Sequence, residues 1–194
     1  KFIDWMKPRP NTKLIDVASG TGDIARIFLN RVNASANITC VDSNIKMLNQ
    51  GKIKLKKFSS VNWINAKAEK LPLSDNTFDY YSISYGIRNV TNIQNVLKEA
   101  LRVLKPGGRF MCLEFSKIDN EILNFFYKQY SKTFPYIGKL IIGSSEPYKY
   151  LNESIEKFYN QEELFNQIKK SGFSNIEFRN LSNGISAIHS GWKI

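Results

Sequence analysis

Cysteine and histidine are almost missing from this chain of 194 residues, which holds only Cys40, Cys112 and His189. The two cysteines sit far apart in apolar runs, a spacing that excludes a C-x-x-C redox pair and a Cys/His metal site. They read as buried free thiols suited to a reducing compartment. One histidine leaves no partner for a His-based catalytic dyad or a metal cluster, so His189 reads as structural and no metal is expected. No apolar run reaches the ~18 residues a membrane span requires. Arginine is scarce as well, 7 of 28 cations and no cluster, whereas specific phosphate and base recognition leans on arginine forks. Repeats, low-complexity tracts and linkers are also absent.

What is present is a core. With 42% hydrophobic and 13% aromatic residues, the composition is that of a globular protein, and the length suits one domain spanning 1–194. The net charge of +11 invites a nucleic-acid or anionic-membrane surface. Against this, 21 Lys, 20 Asn and 22 Ile form the joint bias of an AT-rich coding sequence. The opening stretch, with Phe2, Ile3, Trp5 and Met6, reads as the end of a helix already under way, so a segment before Lys1 is expected.

Short apolar runs alternate with helical periodicity up to Phe115, the pattern of βαβ units and a parallel sheet. Strands are expected at 13–18, 37–42, 61–65, 78–84 and 109–115, and helices at 23–33, 45–58 and 93–104. Pro106-Gly107-Gly108 reads as a break between the last of these helices and the following strand. The stretch 117–160 loses the alternation and carries 10 of the 25 aromatic residues, so it reads as a helical insertion. A helix at 161–171 and two hairpin strands at 175–181 and 184–189 close the chain.

The run from Leu14 to Asp23 is a buried strand, a glycine turn and a helix start. Gly20 and Gly22 permit a tight turn and close approach of a ligand to the backbone, and Asp23 is expected to cap the helix. Asp42, 22 positions beyond Gly20 at the end of the next strand, can accept both hydroxyls of a ribose. A dinucleotide would seat its pyrophosphate on this helix N-terminus, and Ala25 satisfies the third small position of that pattern. Asp23 and Asp16, however, place carboxylates where the pyrophosphate would lie. They suit a ligand with a cationic ammonium and sulfonium, which points to S-adenosyl-L-methionine.

The strand, the Asp16-to-Asp23 turn and the acid downstream resemble the first motif of the class I methyltransferases. Residues 102–116, from Arg102-Val103-Leu104-Lys105-Pro106-Gly107-Gly108 to Leu113-Glu114-Phe115-Ser116, narrow the resemblance to the ubiquinone/menaquinone biosynthesis C-methyltransferases. So do Leu71-Pro72, the run from Asp75 to Asp79, Ser84-Tyr85-Gly86-Ile87-Arg88-Asn89-Val90, the stretch from Tyr148 to Ile155, and 184–193. The resemblance covers essentially the whole chain. It implies an α/β, Rossmann-like class I methyltransferase fold: a seven-stranded, mostly parallel sheet with an antiparallel last hairpin and a helical insertion after strand 5. The upstream segment that family members carry would close over the active site.

The resemblance further implies that Thr21, Asp42, Lys67, Ala68 and Ser84 contact S-adenosyl-L-methionine, alongside Asp16, Gly20 and Gly22 of the turn. Lys67 departs from the family's usual Asn or Asp and cannot accept a bond from the adenine amino group. Ser19 replaces a common glycine. Arg88 and Asn89 are the expected catalytic residues: Arg88 stays cationic, stabilises a quinolate and orients the water that removes its proton, and Asn89 holds that water or the substrate oxygen. The implied activity is C-methylation of a polyprenyl benzoquinol and/or demethylmenaquinol. The aromatic insertion would supply a groove for the tail on the substrate side. Lys117, Lys128, Lys132, Lys139 and Lys149 would draw a cytoplasmic protein peripherally to the inner face of an anionic membrane. A quinone-biosynthesis complex and a homodimer are further partners the reading allows. Its rivals are a methyltransferase-like subunit without activity of its own and a small nucleic-acid methyltransferase. The latter is favoured by charge alone, and the chain lacks the Asn/Asp-Pro-Pro-aromatic motif, so no nucleic acid is expected as partner.

Overall fold

The computed structural model describes residues 1–117 and 146–194, without the side chains of 146–149. The elements in chain order are α1 (Phe2–Met6), β1 (Thr12–Val17), α2 (Asp23–Arg31), β2 (Ala36–Asp42), α3 (Ile45–Lys54), β3 (Val61–Asn65), β4 (Phe78–Ser84), a 3-10 turn (Ile87–Asn89), α4 (Ile93–Val103), β5 (Leu104–Phe115), α5 (Glu146–Lys157), α6 (Gln161–Lys170), β6 (Ser174–Leu181) and β7 (Ser186–Trp192). The sheet has seven strands in the order β3-β2-β1-β4-β5-β7-β6. Strands β1 to β5 pair in parallel, and β7 runs antiparallel to both β5 and β6.

This order follows from burial on both faces. In β1, Ile15 and Val17 pack on one face with Tyr81 and Ile83 of β4, under Val96, Leu97, Ala100 and Val103 of α4 and Leu164 and Ile168 of α6. Leu14 packs on the other face with Tyr80, Ile38 and Cys40, under Phe28 and Leu29 of α2 and the whole apolar side of α1. Cys40 and Cys112 are both buried free thiols. The helix starts are set locally. Asn44 accepts from the Lys46 and Met47 amides, Asn92 from the Asn95 amide, and Asn160 forms a reciprocal capping box with Glu163.

Two expectations are corrected here. Gly22, in the left-handed region at φ 78°, precedes α2, while Asp23 is the first helical residue and makes no cap. Its carboxylate instead accepts from Lys54 Nζ at 2.8 Å and lies near Arg26. Helix α4 ends at Val103, ahead of Pro106-Gly107-Gly108 as expected, but that stretch lies within β5 and not before it. Leu104 already pairs with Phe78, the next register pair is Tyr80 with Arg109, and the intervening residues bulge out of the ladder. Gly107 supplies the positive φ of 76° that this bulge needs, and its amide bonds the Lys193 carbonyl at 2.7 Å. The closing strand starts at Ser186 and runs on to Trp192, beyond the expected 184–189.

Arg109 anchors α1. Its Nη1 donates to the Trp5 and Met6 carbonyls at 2.6 and 3.3 Å, satisfying acceptors that a helix end leaves open. The guanidinium lies 5.4 Å from the Trp5 ring and 5.0 Å from that of Trp192. Of the expected insertion at 117–160, residues 146–157 form α5, while 118–145 lie outside the described residues, and with them most of the expected aromatic groove and Lys128, Lys132 and Lys139.

Candidate cofactor and active site

β2 and β4 leave β1 on opposite sides, so the carboxyl ends of β1 and β4 frame the crevice where open α/β sheets take ligands. A cavity of about 400 Å³ occupies that edge. Its walls include Val17, Ala18 and Gly20 after β1, Asp42 and Asn44 after β2, Met47 of α3, Ala66 to Glu69 after β3, and Tyr85, Gly86 and Asn89 after β4. A larger cavity, about 1050 Å³, lies at the opposite edge between α1 and the β6–β7 hairpin. It contains none of the expected site residues.

Asp42 organises the first cavity. Its Oδ2 accepts from the Gly20 amide and its Oδ1 from the Asn44 amide, both at 2.8 Å. One carboxylate thus ties the glycine turn to the start of α3, and each oxygen retains a lone pair for a ribose hydroxyl. Gly20, at φ 54°, would carry a Cβ only in strain, facing Met47. Gly86 is required by space: a Cβ there would fall 2.3 Å from that of Ala18. The loop after β4 therefore docks directly on the turn after β1. The small residues of the wall, the glycine cradle and the Asp42 acceptors together fit S-adenosyl-L-methionine.

Of the ten expected site residues, Gly20, Asp42, Lys67, Ala68 and Asn89 line this cavity. Gly22 packs away from it, where a Cβ would meet Leu55 and Trp63. Thr21 turns its hydroxyl toward Lys54 and Asp23, and Ser84 continues the sheet, paired with Leu113. Asp16 lies beneath the turn, 1% exposed, with Oδ1 accepting from Ser82 Oγ at 2.7 Å. Burial pushes its carboxyl up to about 7 against that hydrogen bond, and Oδ2 has no hydrogen-bond partner. The two acids of the turn are thus one buried carboxyl and one ion-paired surface group, and the acids on the cavity wall are Asp42 and Glu69.

Arg88 stands behind the wall. Its Nη1 donates to Glu114 Oε1 at 2.7 Å and to the Tyr85 carbonyl at 2.8 Å, its Nε to Ser154 Oγ at 3.3 Å. Glu114 is almost fully buried; burial raises its carboxyl and the Arg88 charge opposes the rise. Asn89 reaches the cavity itself and accepts from Tyr150 Oη at 3.2 Å. Sequence reasoning assigned no role to Tyr85 or Glu69. Tyr85 follows Ser84 in the run 84–90, but nothing in residue type alone indicates that it lines the cavity. Glu69 accepts from the Thr91 amide at 2.7 Å and closes the wall. Among the described residues no group of His, Cys, Asp and Glu could hold a metal ion.

The profile of the ubiE/COQ5 methyltransferase family matches residues 1–193. The chain belongs to that family. A ubiquinone/menaquinone biosynthesis C-methyltransferase of Ruegeria sp. is 47% identical over 197 residues, covering 100% of this chain and 78% of that protein. A mitochondrial 2-methoxy-6-polyprenyl-1,4-benzoquinol methylase of Dictyostelium discoideum is 42% identical over 226 residues, covering 100% and 72%. Among solved structures, a putative methyltransferase of Bacillus halodurans superposes with a TM-score of 0.72 at 15% identity, covering 99% of this chain and 96% of that one. That likeness speaks for the fold. The loop carrying Arg88 and Asn89 flanks the carboxyl-edge cavity, which Asn89 lines.

Proposed function

We propose that this protein transfers a methyl group from S-adenosyl-L-methionine to a ring carbon of a polyprenyl benzoquinol and/or demethylmenaquinol. The observation that carries the reading is the whole-chain family match joined to a cavity in which Asp42 presents ribose acceptors beside a glycine turn. When bound, the cofactor supplies an electrophilic methyl group. Asp42 and the Gly20 turn orient it by hydrogen bonding and close approach.

The acceptor ring becomes nucleophilic when a quinol hydroxyl loses its proton. Its carbon would form the new C–C bond as the methyl–sulfur bond breaks and S-adenosylhomocysteine leaves, and loss of the proton on that carbon restores the aromatic quinol. Arg88 cannot take the hydroxyl proton, but its charge stabilises the quinolate oxygen. Nη1 and Nε bond Glu114, Tyr85 and Ser154, and the reading gives Nη2 the role of orienting the water that carries the hydroxyl proton away. Asn89, with its carbonyl oxygen bonded by Tyr150, keeps its amide N–H groups for that water or the substrate oxygen. Lys67 and Ala68 line the cavity; since a lysine cannot accept a bond from the adenine amino group, backbone groups of the pair would hold that ring.

A polyprenyl substrate resides in a membrane, and the +11 charge suits peripheral binding at an anionic inner face. No helix among the described residues is long and apolar enough to cross a membrane. The deciding experiment is calorimetry with S-adenosyl-L-methionine followed by mass spectrometry of reduced, short-tailed benzoquinol and demethylmenaquinol, with RNA as a parallel substrate. Cofactor binding with methylation of a quinol supports the reading. Cofactor binding with methylation of RNA alone overturns it, and binding with no turnover of any substrate favours an inactive subunit. Sedimentation with vesicles of rising anionic content should show rising binding; a flat response removes the membrane partner.

A further inference from the structure

We propose that Tyr85 forms the wall on which the aromatic acceptor ring rests, and so sets which substrates are held for methyl transfer. This assignment rests on the reaction proposed above. Tyr85 is the one aromatic residue among the described residues lining this cavity, and it stays 40% exposed.

Its placement is costly and over-determined. The backbone sits at φ 52°, a region that bulky side chains rarely adopt and that persists only where surrounding contacts enforce it. Four contacts do so. The Tyr85 amide donates to the Leu113 carbonyl at 2.7 Å. Its own carbonyl accepts from Arg88 Nη1 at 2.8 Å. Its hydroxyl meets Ser186 Oγ at 3.2 Å, and its ring packs against Phe115, tilted by 46° with centroids 4.7 Å apart. The next residue is the glycine packed against Ala18, so the distance from this ring to the cofactor turn is fixed as well.

A rigid aromatic face left open beside a cofactor cavity suits a planar, electron-rich ring, which packs offset or edge-on against it. Through its carbonyl, Tyr85 is also bonded to the guanidinium assigned to the quinolate. Ring position and charge stabilisation therefore reside in one loop.

The test compares Tyr85→Phe, Tyr85→Leu and Tyr85→Ala in the full chain, using reduced short-tailed demethylmenaquinol and S-adenosyl-L-methionine. Tyr85→Phe keeps the ring and should leave the quinol KM near wild type. Tyr85→Leu and Tyr85→Ala should raise it about five- to tenfold, with cofactor Kd unchanged by calorimetry. Should the alanine variant fail to fold, the phenylalanine and leucine pair carries the comparison. An unchanged KM in Tyr85→Leu overturns the assignment. So does a Tyr85→Phe variant as impaired as Tyr85→Leu, or an equal loss of cofactor affinity. A wild-type protein that binds cofactor but methylates no quinol overturns the underlying reaction and this assignment with it; an active wild type with a leucine variant of unchanged KM removes Tyr85 alone.

Discussion

Asp42 and Arg88 illustrate how one side chain does two jobs. The Asp42 carboxylate positions two backbone amides, and in the proposed reading its remaining lone pairs take a ribose. Asp42→Ala should lower S-adenosyl-L-methionine affinity by roughly 10- to 100-fold in a calorimetric titration, the worth of hydrogen bonds to a charged acceptor. Asp42→Asn keeps one acceptor and should fall between. Arg88 neutralises a buried carboxylate, so Arg88→Ala leaves Glu114 unpaired and should cost about 3 kcal/mol in denaturant unfolding. It should also abolish quinol turnover while cofactor affinity stays near wild type. Loss of affinity in step with turnover would show that Arg88 supports the cofactor cavity instead.

At the scale of elements, the site depends on how closely the loop after β4 meets the turn after β1. Gly86→Ala would force a Cβ to within 2.3 Å of Ala18, and overpacking of this kind costs about 1–3 kcal/mol. Because both segments line the cavity, cofactor affinity should fall together with the melting temperature. Asn160→Ala is the contrast. Loss of the α6 capping box should cost about 1 kcal/mol and leave cofactor binding untouched, since α6 supports the sheet from one face and contributes nothing to the cavity wall. If both variants weakened binding equally, the cavity would be responding to global stability and not to this loop contact.

For the whole molecule, two buried groups oppose each other as pH changes. Asp16 goes from 3.8 in the unfolded chain to about 7 in the fold. As pH rises between those values the unfolded chain releases this proton first, so folding loses stability, by up to about 4 kcal/mol. His189, hydrogen-bonded through Nε2 to the Gln161 carbonyl, falls from 6.5 to about 4 because it is buried. As pH falls through that window the unfolded chain takes the proton first, and stability drops by about 3 kcal/mol. The two slopes have opposite signs over nearly the same range. Chemical denaturation from pH 4 to 7 should therefore show Asp16→Asn gaining on wild type as pH rises. His189→Asn should gain on wild type as pH falls, and parallel curves for either variant would contradict the assigned shift.

The sheet and its helices were legible in the sequence because period-2 and period-3.6 apolar patterns are local: β3 and β4 fall on the expected residues, and the other described strands and helices differ at their ends. Asp42 and the glycine turn were legible for the same reason, since a strand end and a tight turn constrain residue type within a few positions. The partners of the acids were not legible. Asp23 looked like a cap and an anion in the ligand's path, yet Lys54, 31 positions on, neutralises it. Asp16 looked like a charge facing the ligand, and burial under α2 makes it a weak acid. Arg88 meets Glu114 across 26 positions and Tyr85 meets Ser186 across 101. Those distances in the chain close only when β4, β5 and β7 lie side by side. The sequence by itself determined the elements, the glycine turn and the family. The tertiary structure alone decided which charges are cancelled, which carboxyl is buried and which aromatic residue lines the cavity, because desolvation and pairing depend on neighbours that only the folded sheet supplies.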